Sequence, residues 1–143
     1  MTVAAILNEK GRDVITALPE QTLSEICDVL TEKGIGAIVV HSADDDVIGI
    51  ISERDIIHAF ARKGAAAMDM AASSCMTAKV VTCTEEETIP EVMERMTRGR
   101  FRHLPVMRDG DLIGVISIGD VVKFRIEQAV REAEEMRSYI ATV

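Results

Sequence analysis

Tryptophan is absent from this chain of 143 residues, and three phenylalanines and one tyrosine make up its whole aromatic content. Its core must therefore be aliphatic, with the eight methionines as filler rather than as a cofactor box. Cysteine is sparse as well. Cys27, Cys75 and Cys83 are odd in number and lack Cys-x-x-Cys spacing, so neither a disulfide framework nor a zinc site is expected, and a reduced, cytoplasmic setting is. No apolar run approaches the roughly eighteen residues of a membrane span, and the N-terminus lacks the basic start and apolar stretch of a secretory signal. Basic residues are outnumbered 16 to 24, for a net charge of −8, which argues against nucleic acid as a partner. No Gly-x-x-x-x-Gly-Lys or Gly-x-Gly-x-x-Gly loop is present. Nor is there a nucleophile–base pair, so no catalytic residues are assigned and the chain is not expected to be an enzyme. His41 and His58 have no partner at ligand spacing, and Asp44-Asp45-Asp46 lacks the distal glutamate of a calcium loop. No metal site is expected.

Against these absences stands a repetition. Gly49-Ile50-Ile51-Ser52-Glu53-Arg54-Asp55 and Gly114-Val115-Ile116-Ser117-Ile118-Gly119-Asp120 share one pattern: glycine, two β-branched residues, serine, two variable residues and aspartate. The similarity extends outward. An offset of 66 aligns Thr16, Thr22, Glu25 and Val40 with Thr82, Thr88, Glu91 and Val106; after a one-residue deletion the offset is 65. At 143 residues the chain is one compact unit or two small ones packed together. The copies differ in charge. Residues 13 to 60 hold ten acidic side chains against Lys33 and Arg54, whereas residues 79 to 124 hold eight acidic and seven basic, with Arg95, Arg98, Arg100 and Arg102 clustered.

Each copy reads β-α-β-β-α. A β-prone run (Asp13 to Thr16; Lys79 to Thr82) leads to a capping box, Thr22-x-x-Glu25 or Thr88-x-x-Glu91, that satisfies orphan amides at a helix start. Leu23, Ile26, Cys27 and Leu30 then form a helical stripe, mirrored by Ile89, Val92, Met93 and Met96. Gly34 and Gly99 lie near the helix ends. A strand follows (Ile35 to Val40; Phe101 to Met107), then a polar turn at Asp44-Asp45-Asp46 or Asp109-Gly110-Asp111. A second strand (Val47 to Ile51; Leu112 to Ile116), expected to pair with the first as a hairpin, ends at the Ser-x-x-Asp helix start. The expected fold class is α+β: two such units packed face to face about a pseudo-two-fold axis, each covering the other's open sheet face. The divisions are an N-terminal helix at 1–12, repeat one at 13–63, a linker at 64–77, repeat two at 78–126, and a helical extension at 127–143. In that extension and the helix before it, Val121, Val122, Phe124, Ile126 and Val130 are the expected buried positions.

The paired Gly-h-h-Ser-x-x-Asp motifs, with Met76-Thr77 before the second copy and Arg102-His103-Leu104-Pro105-Val106 in its middle strand, resemble the CBS (cystathionine β-synthase) domain in its tandem form, the Bateman module. The resemblance covers roughly residues 3 to 125. It implies a regulatory module that binds an adenosine-containing ligand (AMP, ADP, ATP, NAD(H) or S-adenosylmethionine) in clefts between the copies, with no catalytic cofactor. It also implies a homodimer acting on a partner protein. A ligand-free dimerisation scaffold is the rival reading.

Serine at an N-cap with aspartate three residues on is itself a capping arrangement. The same carboxylate can also take both hydroxyls of a ribose diol, and the resemblance implies that role for Asp55 and Asp120, with Ser52 and Ser117 on ribose or phosphate. Phosphate needs cations elsewhere. Arg102 and His103 supply them in copy two, where copy one has Gly36 and Ala37. The better site is therefore expected to join Asp120, Ser117, Arg102 and His103, with Ile35, Gly36 and Ala37 against the base. Asp13, Ile15 and Thr16 would supply adenine's backbone partners by resemblance. The second cleft would use Asp55, Ser52 and Arg54 with Lys79, Val81 and Phe101.

Overall fold

The computed structural model describes residues 1–142. In copy one, β1 (Thr16–Ala17) runs parallel to β2 (Ala37–His41), which pairs antiparallel with β3 (Val47–Ser52). Helix α2 (Leu23–Lys33) crosses between β1 and β2, and α3 (Glu53–Lys63) follows β3. In copy two, α5 (Ile89–Gly99) precedes the β4 (His103–Arg108) and β5 (Asp111–Ser117) hairpin, and α6 (Ile118–Thr142) follows it. Asp109 and Gly110 both take positive φ at the hairpin turn, the geometry that suits the right-handed twist of the strands.

Here the first strand shrinks to one parallel bridge, Cys83 with Val106. An offset of 66 maps Ala17 and Val40 onto Cys83 and Val106, so it is the same pairing, shortened. Both first strands thus begin later than the β-prone runs suggest: residues 13–15 and 79–82 have no ladder partner, and the chain bends at Lys79, where the Val80 amide donates to the Ala78 carbonyl. Burial at 2% exposure pushes the Cys83 thiol up to about 12, which makes it an inert packing group.

The helix starts follow the sequence. Thr88 and Glu91 complete a capping box, whereas Thr22 accepts the Glu25 amide without the reciprocal bond. Arg100, not Gly99, occupies the left-handed C-cap position that Gly34 fills in copy one. Gly99 serves another purpose: a Cβ there would collide with the Phe101 ring, which folds back over the helix end.

The segments preceding the copies are exchanged. Helix α1 (Val3–Lys10) packs on copy two, with Val3, Ile6 and Leu7 buried among Ile89, Val92, Leu104 and Ile116. The linker packs on copy one: Ala67 and Ala72, from a 3-10 turn and from α4 (Ala72–Cys75), join Leu23, Ile26, Ile38 and Ile51. The anchors are equivalent, since Thr2 bridges Thr88 and Ala71 bridges Thr22. This exchange explains the first residue of the repeated motif. A Cβ on Gly114 would stand 2.7 Å from Leu7 Cδ2, and one on Gly49 would overlap Met76. Each glycine makes room for the crossing segment.

One expectation is corrected in α6. Val121 is buried and Phe124 packs against the core, but Val122, Ile126 and Val130 are 44%, 59% and 52% exposed. A helix lying on one layer shows it a single stripe, and these three occupy the opposite face. No helix among the described residues is long and apolar enough to cross a membrane.

Candidate functional site

Where the two copies meet, a cleft of ≈ 220 Å³ opens beside the first Ser-x-x-Asp motif. Its floor is the N-terminus of α3. Ser52 accepts the Asp55 amide at 3.4 Å, while Asp55 Oδ2 accepts the Ser52 amide at 2.8 Å and the Ser52 hydroxyl at 3.1 Å. Asp55 Oδ1 accepts the Thr77 hydroxyl at 3.1 Å, and the Thr77 backbone exchanges both hydrogen bonds with Ile50. The exchanged linker thus supplies one wall. Among the described residues every partner of Asp55 is a hydroxyl or an amide, so its charge is solvated by dipoles rather than by a cation. Both hydroxyls can rotate toward another acceptor when a diol arrives.

The opposite wall comes from copy two: Lys79, Val80 and Val81 in chain outside any strand, then Arg100, Phe101, Arg102 and His103. Arg54 spans the gap and donates to the Arg100 carbonyl at 3.1 Å. Among the described residues, the side chains of Lys79, Arg100 and Arg102 are committed to no ion pair or hydrogen bond. Arg100, in the left-handed C-cap position of α5, stands on the rim of this cleft. Gly36 lies between the walls, where a Cβ would stand 2.7 Å from Glu53 Oε1 and 3.4 Å from His103 Nε2. Burial, reinforced by Lys10 and Arg102 and opposed by Glu53 and Asp120, holds the His103 imidazole below its ordinary value.

The second motif repeats the cap, but with a cation on its carboxylate. Asp120 accepts the Ser117 amide at 2.8 Å, and Ser117 accepts the Asp120 amide at 3.1 Å. Lys10, from the exchanged helix α1, places its ammonium 2.6 Å from Asp120 Oδ2 and donates to the Val115 carbonyl at 2.7 Å. Burial would raise the Asp120 carboxyl, but the Lys10 and Ser117 donors outweigh it and the net direction is down. An ammonium therefore sits on this carboxylate and cancels its charge.

The structure brings together Gly36, Ser52, Arg54, Asp55, Lys79, Val81, Phe101, Arg102 and His103. Asp120 and Ser117 are not among the residues lining that cleft, although His103 is within electrostatic reach of Asp120 and Lys10. His103 pairs with Ser117 in the β4–β5 register, and its ring also reaches Gly36 in the Asp55 cleft, which Arg102 lines as well. Ile15 and Ile35 pack against the core of copy one, Ala37 is buried in β2, Asp13 is exposed, and Thr16 sits in β1. Sequence reasoning missed Ile50, Glu53, Thr77, Val80 and Arg100. A signal existed for Arg100, an arginine where the offset of 66 matches Gly34.

The CBS domain family model matches residues 5–62 and 72–127, one match for each copy. The chain belongs to the CBS domain family. This CBS pair is 33% identical over 129 residues to MK0525 of Methanopyrus kandleri, covering 90% of this chain and 66% of that protein. Its fold superposes on the CBS-domain containing protein ATU1752 from Agrobacterium tumefaciens with a TM-score of 0.85 and 48% identity, over 87% of this chain and 92% of that one. It also shares the fold of the CBS domain pair of protein MJ0100, solved with 5′-methylthioadenosine and S-adenosyl-L-methionine, at a TM-score of 0.80 and 22% identity, over 90% and 98% of the two chains.

Proposed function

We propose that this CBS pair is a regulatory module that takes one adenosine-containing ligand, of the class AMP, ADP, ATP, NAD(H) or S-adenosylmethionine, in the Asp55 cleft. The observation that carries the reading is the pairing of a carboxylate without a cation partner and three uncommitted basic side chains on one cavity. Asp55 would accept the ribose diol. Val80, Val81, Phe101 and Ile50 form the apolar surface for a base, and the unladdered backbone around Val81 supplies its hydrogen bonds. Lys79, Arg100 and Arg102 would meet phosphate or another anionic group. The adenosine ligands of MJ0100 support this class.

A ligand seated there touches α3 of copy one and the β4 edge of copy two at once, so it favours one relative packing of the copies. That linkage would be the signal to a partner protein. Ile57 and Phe60 on α3, with Val122 and Ile126 on α6, leave exposed apolar surface that a homodimer would cover. Thermal melting tests the ligand reading. At 100 times Kd, a bound ligand should stabilise the protein by about 2.7 kcal/mol. An unmoved melting curve with AMP, ATP, NADH and S-adenosylmethionine, each at millimolar concentration, would leave the ligand-free scaffold as the better reading.

A further inference from the structure

We infer that residues 122–140 of α6 form a parallel, in-register two-stranded coiled coil with the same helix of a second copy. The inference deepens the homodimer reading above by naming its seam, and is independent of which ligand the cleft takes.

Helix α6 is 25 residues long, about 37 Å at ~1.5 Å per residue. Its first two turns belong to copy two through Ile118, Val121 and Phe124. From Ala129 to Thr142 every described residue is exposed, so those four turns have no core of their own. An isolated helix below about 12–15 residues is marginal in water, and most helical stability comes from packing an apolar face. This stretch has such a face. Val122, Ile126, Ala129, Ala133, Met136 and Ile140 recur at alternating spacings of four and three residues, the heptad seam of a coiled coil. Ile126, Met136 and Ile140 are 59%, 67% and 69% exposed. With Ile126, Ala133 and Ile140 at position a, the b, c and f positions from Glu127 to Ser138 hold Glu127, Gln128, Arg131, Glu134, Glu135 and Ser138, all polar, while Val130 at e and Tyr139 at g widen the apolar stripe.

The pattern also selects the occupant and its direction. β-Branched isoleucine at a favours two strands, and alanine at Ala129 and Ala133 lets two helices approach closely. Glu132 falls at g and Arg137 at the next e. In a parallel, in-register pair each Glu132 faces Arg137 of the other strand, giving one ion pair on each side of the seam. An antiparallel pair matches g with g and e with e, which puts Glu132 and Arg137 on opposite flanks where they cannot meet. A second copy of this helix therefore complements both the apolar stripe and its flanking charges.

The test is sedimentation equilibrium on the full chain. Wild type should be a dimer, and Ala133→Glu, which buries a charge in the seam, should weaken dimerisation by about a hundredfold or more. Glu132→Lys should weaken it, and adding Arg137→Glu should restore it; that rescue also rules out misfolding as the cause. Ile140→Cys should cross-link within the dimer under mild oxidation beyond the wild-type background from Cys27 and Cys75. A wild-type monomer overturns both this seam and the homodimer reading. A dimer indifferent to Ala133→Glu overturns the seam alone and moves the contact to α3. An Ile140→Cys dimer that cross-links no more than wild type overturns the parallel direction.

Discussion

Asp55 and Asp120 occupy the same place in the same motif, and their partners separate them. Asp55 is held by hydroxyls and an amide, while Asp120 carries the Lys10 ammonium at 2.6 Å. Hydrogen bonds to a charged group contribute about 1.5–3 kcal/mol each, so Asp55→Ala should weaken ligand binding by about tenfold to hundredfold, measured by titration calorimetry. Lys10→Met should free Asp120 and add a second, weaker binding event in the same titration; an unchanged stoichiometry would show that Lys10 does not close that cleft. His103 gives a pH signature. Its folded-state value lies below the unfolded one, so folding excludes a proton there, and the associated stability is lost as pH falls below about 6.5. A bound phosphate favours the imidazolium, so affinity for AMP or ATP should rise as pH falls from 7.5 to 6. His103→Gln should flatten that rise.

The elements were legible in the sequence wherever local chemistry determines them. Thr88, Ser52 and Ser117 cap helices because their hydroxyls and the acid three residues on satisfy end amides, and Asp109-Gly110 turns a hairpin because both tolerate positive φ. What local pattern could not convey was partnership over distance. Lys10 meets Asp120 across 110 residues, and Arg102 and His103 line one cleft with Asp55 of the other copy. The exchange of α1 and the linker was equally invisible, because the glycines that permit it look like ordinary strand glycines. Gly114→Ala should press on Leu7 and cost about 1–3 kcal/mol in urea unfolding, as overpacking does. Gly49→Ala should do the same through Met76. It should also weaken ligand binding, because Met76 adjoins the Thr77 that bonds Asp55.

At the scale of the whole molecule, the exchange ties each copy's core to a segment from outside it, and the cleft lies where the copies meet. The halves should therefore unfold together. Calorimetric and van't Hoff enthalpies should agree for the full chain, and two separate transitions would contradict the interlocked architecture. The charge map also takes on meaning at this scale. The acid surplus of copy one supplies Asp55 and Glu53, and the arginines of copy two face them across the cleft. The sequence correctly showed the charge asymmetry between the copies but could not show that it spans one cavity, because that needs the relative placement of strands about 50 residues apart. The most direct test of the Asp55 cleft is titration calorimetry of wild type, Asp55→Ala and Asp120→Ala with the compound that shifts the melting curve most. One ligand per chain, greatly weakened in Asp55→Ala and retained within about threefold in Asp120→Ala, is the predicted result. Binding that survives Asp55→Ala and vanishes in Asp120→Ala would contradict it.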